Sequence, residues 1–169
     1  MTRAEDSFDF RAPDYAAIFK ARAERLQRLR ETPALAHWAM AHYREELSDF
    51  ITDWGCLSEP RNIEIGQPAF LPFILWDRQR EFVEFVVNRW RCREDAVVPK
   101  SRDSGVTWLA VAIACSLCML YPGIVIGFGS RKLDYVDLKG APKAIFEKIR
   151  AYMRSIPPQF TGGWDENQH

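Results

Sequence analysis

The sequence carries no excess of charge of either sign: 23 Lys and Arg stand against 23 Asp and Glu in 169 residues. A global basic footprint for nucleic acid is therefore excluded, and any contact with nucleic-acid phosphates must be local. Cysteine is scarce. The four present, Cys56, Cys92, Cys115 and Cys118, do not make a disulfide framework in a chain of this length. The start is polar and acidic, without the pattern of a secretory signal, so a reduced, cytoplasmic setting is expected. Long apolar runs are also missing. The longest, Trp108 to Leu120, is interrupted by Ser116 and too short to span a bilayer, so membrane insertion is not expected. Histidine is rare as well: His37 and His42, five positions apart, do not share a helix face, which argues against a metal site.

What remains is an ordinary globular composition, 47% hydrophobic and 27% charged, enough for one sizeable core. Pro13-Asp14 opens a charged helix through Arg30. Thr32-Pro33 reads as an N-cap with proline at the first helical position, opening a second helix from Ala34 to about Leu47, which residues 49–54 can prolong. Residues 55–73, with Gly55, Pro60, Gly66, Pro68 and Pro72, read as a connecting loop. Asp77 can cap a third helix to about Cys92, on which Phe82, Val83, Val86 and Trp90 recur at helical spacing.

From Ala96 the pattern changes. Val97-Val98 reads as a short strand, followed by a polar loop and an apolar helix from about Val106 to Leu120. Tyr121-Pro122-Gly123 stops that helix, Ile124–Phe128 reads as a second strand, and a further helix runs from about Pro142 to Met153. The expected fold class is therefore α/β: N-terminal helices over residues 1–73, then an incomplete βαβα core of P-loop, RecA-like type over residues 74–169. Two parallel strands do not make a stable, doubly covered sheet, so the chain is expected to be a fragment of a larger protein.

The loop between the first strand and its helix is Lys100-Ser101-Arg102-Asp103-Ser104-Gly105-Val106-Thr107. Strand, tight loop and helix aim several backbone N–H groups at one point, with the helix dipole behind them, which is the geometry of a phosphate site. The strict pattern G-x-x-x-x-G-K-[ST] is not met, because Lys100 replaces its first Gly and Val106 its Lys. In a nucleotide reading, Gly105 lets the backbone approach the phosphates, Lys100 or Arg102 supplies the positive charge, and the Thr107 hydroxyl holds Mg²⁺. Asp103 is the odd member, since its charge opposes phosphate. The competing reading is a plain β–α turn whose Ser and Asp cap a helix.

Upstream, Gln79 lies ahead of the loop at the start of the third helix. Its amide can both donate to and accept from an adenine edge, and Arg78 or Arg80 could stack on the base. An exposed first helical turn is the simpler account. Cys115 and Cys118 resemble a C-x-x-C pair but sit in an apolar helix and read as core. Residues 131–154 hold seven basic and three acidic residues, including Lys139, Lys143, Lys148 and Arg150, which a solvated helix face explains. Trp38, Trp54, Trp90, Phe73, Phe82 and Phe85 are expected to pack a helical layer against the sheet.

Taken together, Tyr43-Arg44-Glu45, Phe50–Trp54, Pro60–Ile63, Pro72–Gln79, Lys100–Leu109, Tyr121-Pro122-Gly123, Gly127–Lys132 and Tyr135-Val136-Asp137 resemble the N-terminal part of phage terminase large subunits over residues 35–157. These are ATPase motors that package viral DNA into procapsids. The resemblance implies ATP and Mg²⁺ as ligands and Lys100, shifted to the front of a variant phosphate loop, as the phosphate-binding cation. It further implies Arg102 as a phosphate-sensing residue, Thr107 as the Mg²⁺ ligand and Gln79 as the adenine reader. Double-stranded DNA, a portal protein, a small terminase subunit and copies of the motor itself are the partners it implies for the whole protein, in a bacterial host cell. The family's acidic Mg²⁺-holding strand end and nuclease domain find no counterpart in these residues, so at most weak ATP–Mg²⁺ binding and negligible turnover are expected. Two alternatives stand beside this: a non-catalytic helical interaction module, and a piece of another P-loop motor such as a helicase.

Overall fold

The computed structural model describes residues 3–101 and 104–166. Helix α1 (Tyr15–Glu31) starts at Asp14, whose carboxylate accepts from the Ala17 N–H at 2.9 Å. It buries Ile18, Arg22 and Leu29, which recur along one stripe. Pro33 opens α2 (Pro33–Glu45) as the sequence suggests, but the chain breaks at Glu46 and restarts as a separate helix, α3 (Leu47–Trp54). Every residue of α3 except Asp49 is buried. Helix α4 (Asp77–Cys92) buries Val83 and Val87 and ends at Arg93, which adopts φ +59°. Trp76, not Asp77, is its N-cap, and the Gln79 side-chain carbonyl accepts from the Trp76 N–H at 3.2 Å. That bond satisfies one backbone donor at the entry to the helix.

Helix α5 (Val106–Leu120) is the centre of the molecule. Leu109, Val111–Leu117 and Leu120 are buried on every side of it, as expected for a helix that is apolar all round. It packs against α2, α3, α4, α7 (Ile145–Ser155) and the single turn α8 (Pro158–Thr161). Its one polar core group, Ser116, lies 3.2 Å from the hydroxyl of the fully buried Tyr152 on α7. Tyr43, Phe50 and Phe160 meet edge to face beside it, and the Trp54 ring lies tilted against Phe160. A short helix α6 (Leu133–Val136) touches α7.

The expected parallel core is not there. Among the described residues the only sheet is a two-stranded antiparallel hairpin, β1 (Cys56–Ser58) with β2 (Phe70–Pro72), in register Cys56↔Pro72 and Ser58↔Phe70. It lies inside the stretch read as loop, and Gly66 at φ +71° ends the 3-10 turn that joins its strands. Residues 96–99 and 124–128, read as the parallel strands, form no ladder. The physical reason is exposure. Val97 is 89% and Val125 93% exposed, whereas a parallel strand needs neighbours and cover on both faces. Without a sheet, α5 is covered by helices instead, so the molecule is mostly helical and the α/β assignment is corrected.

The aromatic residues divide accordingly. Trp54 and Phe73 are core, but Trp38 at 63% exposure stacks on His42 at the surface, and Trp90 and Phe85 are exposed as well. Cys115 is buried in α5, where desolvation pushes its thiol up to about 12, while Cys118 is exposed; both are free thiols. Among the described residues no helix is long and apolar enough to cross a membrane, and no cluster of His, Cys, Asp or Glu could hold a metal ion.

The N-terminal segment is held by charge. Asp49 receives Arg3 at 2.7 Å, Arg80 at 2.9 Å and His42 at 3.0 Å. Burial pushes the Asp49 carboxyl up, but these hydrogen bonds and the Arg3 charge outweigh it and hold it below the ordinary carboxylate value. Its stabilising contribution is therefore complete above the unfolded carboxylate value of about 4 and is lost as pH falls through the lower folded value. Asp53, raised mainly by burial, acts in the opposite sense, and is common to wild type and an Asp49 variant. The expected result is that Asp49→Asn lowers Tm at pH 7, and that this difference closes as pH falls below about 4. Tm measured against pH for the two proteins checks this; a difference independent of pH contradicts it.

Candidate functional site

The stretch Lys100–Thr107 ends at the start of α5, the central helix of the core. Gly105 is its N-cap at φ +72°, a conformation that favours glycine, and its carbonyl accepts from Leu109 N–H at 3.1 Å. Val106 is the first helical residue and Thr107 the second. The first N–H groups of a helix have no partner within it, and the helix dipole adds partial positive charge there. Ser104 Oγ donates to the Ser101 carbonyl at 3.1 Å, and Lys100, Ser101, Ser104 and Thr107 are all exposed. Arg102 and Asp103 lie outside the described residues.

The structure brings Gln79 to this loop. A Cβ on Gly105 would stand 3.5 Å from Gln79 Nε2. Because the Gln79 carbonyl already accepts from Trp76 N–H, the amide nitrogen is the half turned to the loop. In this arrangement the amide nitrogen is the donor turned to the loop, while the carbonyl, with two lone pairs, shares its accepting capacity between the Trp76 N–H and any base donor. Arg78 is not brought in. Its side chain is 88% exposed and pairs with Glu81 at 2.8 Å on the same helix. Arg80 points the other way, to Ser48 and Asp49.

In front of the loop is an open cleft of about 1110 Å³ between the start of α5, the turn after β1, and α7 with the residues that precede it. Lys100, Ser104, Gly105, Val106 and Thr107 line one side. Arg61, Lys143, Lys148 and Arg154 line the other, against only two carboxylates among the described lining residues, Glu59 and Glu147. Both are engaged: Arg61 holds Glu59 at 2.7 Å and keeps its pKa below the usual carboxylate value, and Arg150 holds Glu147 at 3.2 Å. The cleft is thus net positive and favours an anion. Among the described residues lining it, both carboxylates are in ion pairs.

The opposing wall was only half visible in the sequence. The basic bias of residues 131–154 is its signal, but a solvated helix face accounts for the same residues until the fold brings Lys143 and Lys148 to the cleft that Thr107 also lines. Arg61 carries no such signal. Comparison of the chain with models of protein families, with curated proteins and with solved structures gives no match.

Proposed function

We propose that this cleft docks the phosphates of ATP with Mg²⁺, and that the chain acts as the nucleotide-docking segment of a terminase large subunit, the motor that packages viral DNA into procapsids. The observation that carries the reading is the meeting of Gln79 with Gly105 at the start of α5, beside a positive cleft that also holds Lys100 and Thr107. Residues 26 positions apart in sequence, singled out for base and phosphate contacts, adjoin one opening. The donor set fits a polyphosphate. Backbone N–H groups and Lys100 meet phosphate oxygens, and the Thr107 hydroxyl supplies one oxygen to Mg²⁺, whose other ligands would be phosphate and water. Bound there, the metal would neutralise charge between the phosphates. With Glu59 and Glu147 both in ion pairs, the residues described here support binding rather than hydrolysis. DNA, portal, small subunit and neighbouring motor copies remain partners proposed for the whole motor.

The expected result is that ATP–Mg²⁺ at millimolar concentration raises Tm and that Lys100→Ala weakens binding about tenfold, the loss of one charge-assisted contact. Titration calorimetry checks it; affinity unchanged by Lys100→Ala overturns the assignment of the loop. A second reading, a helical interaction module that never binds nucleotide, is favoured by the all-helical cover of α5 where a sheet was expected. A Tm unmoved by ATP–Mg²⁺ decides for it.

A further inference from the structure

The nucleotide reading places the phosphate contacts in the loop before α5 and assigns nothing to the opposite wall. We infer that Lys148 on α7 is a second phosphate-binding cation, closing on the polyphosphate chain from the side facing Lys100 and Thr107. The inference rests on the nucleotide reading for the identity of the ligand, but not for its charge.

Four observations single Lys148 out among the cations of that wall. First, it is fixed in place: its Nζ stands 5.2 Å from the centre of the Trp108 ring and donates to the Pro142 carbonyl. Trp108 directly follows Thr107, so this contact ties the lysine of α7 to the first turn of α5. Second, no carboxylate among the described residues lies within ion-pair distance of it. Arg154, by contrast, is bound by Glu166 at 2.5 Å, and Arg61 is paired with Glu59 at 2.7 Å. Third, it is half-buried, whereas Lys143 on the same wall is exposed to water. Fourth, Glu59, whose charge reaches Lys148 at longer range, is already neutralised by Arg61. An ammonium partly withdrawn from water and lacking a counter-ion has its pKa lowered by desolvation. An anion arriving in the cleft supplies what the fold leaves out, and the aromatic face and the carbonyl hold the ammonium ready without neutralising it.

The test uses two probes, inorganic tripolyphosphate and ATP–Mg²⁺, titrated calorimetrically into the wild-type chain, Lys100→Ala, Lys148→Met and Lys148→Arg, with Tm recorded for each. Lys148→Met is expected to weaken both probes about tenfold, and Lys148→Arg to restore most of that loss, because the charge returns. If Lys100→Ala weakens binding while Lys148→Met leaves both affinities unchanged, the inference is overturned and the nucleotide reading stands. If the wild-type chain takes tripolyphosphate but not ATP, the nucleotide reading falls and Lys148 is judged on tripolyphosphate alone. Binding of neither probe overturns both. Should Lys148→Met fail to fold, reductive methylation of the wild-type chain followed by mass spectrometry gives an independent answer. Tripolyphosphate is expected to protect Lys148 more than the exposed Lys143, and equal labelling of Lys148 with and without it overturns the proposal.

Discussion

Gly55→Ala is expected to destabilise the chain by about 3 kcal/mol, and Gly55→Val to leave little folded protein at 37 °C. The glycine lies between the end of α3 and the start of β1, with φ −66°, a value open to any residue. Backbone freedom is therefore not the reason for it; space is. An added Cβ would stand 2.7 Å from the Ile51 carbonyl oxygen and 2.8 Å from Tyr152 Cε2. The first neighbour is helix backbone and cannot move without unwinding α3. The second is a fully buried ring whose hydroxyl meets Ser116 on α5. Moving that ring would separate α7 from the central helix and leave Ser116 without its partner. Gly127→Ala is the matched control, since nothing lies within 4 Å of that position, and should stay within about 0.5 kcal/mol of wild type. Urea denaturation of the three proteins reads both outcomes; equal midpoints for Gly55→Ala and Gly127→Ala would falsify the packing argument.

The second large effect is expected at Arg25. Its guanidinium holds Glu5 through two bonds of 2.9 and 3.0 Å, reaches Asp53 at 3.3 Å and lies 5.7 Å from the centre of the Trp54 ring. The Glu5 side chain is 0% exposed. Arg25→Ala leaves that carboxylate buried with no cation in direct contact, and the loss expected is about 3–5 kcal/mol. The N-terminal turn should then come away from α1, which hydrogen exchange at residues 3–8 would record. Charge, rather than lost contact area, is the cause if the double variant Glu5→Gln with Arg25→Met loses clearly less than Arg25→Ala alone. A double variant as unstable as the sum of its parts argues for packing instead.

The elements legible in the sequence are those whose signals are local. Asp14 before α1, Pro33 opening α2, and the largely apolar run from Val106 to Leu120 each define a helix without reference to distant residues. The parallel strands were misread because Val97-Val98 and Ile124–Phe128 have the composition of buried strands, while burial depends on neighbours that composition does not reveal. The β1–β2 hairpin was missed for the opposite reason, since strands of three residues flanked by Pro and Gly carry almost no alternation. At the site, Gln79 and Gly105 were legible as separate signals, and their meeting is a property of the packing of α4 against α5. Arg78 shows the limit. Next to Gln79 in sequence, it points away, because successive helical residues diverge by about 100°.

The bond from the Cys56 N–H to Ser155 Oγ spans 99 positions, and it bears on the order in which the chain can fold. Helix α5 is apolar on every side, yet α7 and α8, which cover one flank of it, are made after it. Loop-closure entropy must be met before those contacts reward it, so closure of α7 onto β1 and α5 is a late, slow step. During synthesis, α1 to α5 leave the ribosome with the Ser116 side uncovered until Tyr152 follows. In the interval between those two residues the apolar flank of α5 is expected to be open to aggregation and to chaperones, and the same contact that completes the core ends it.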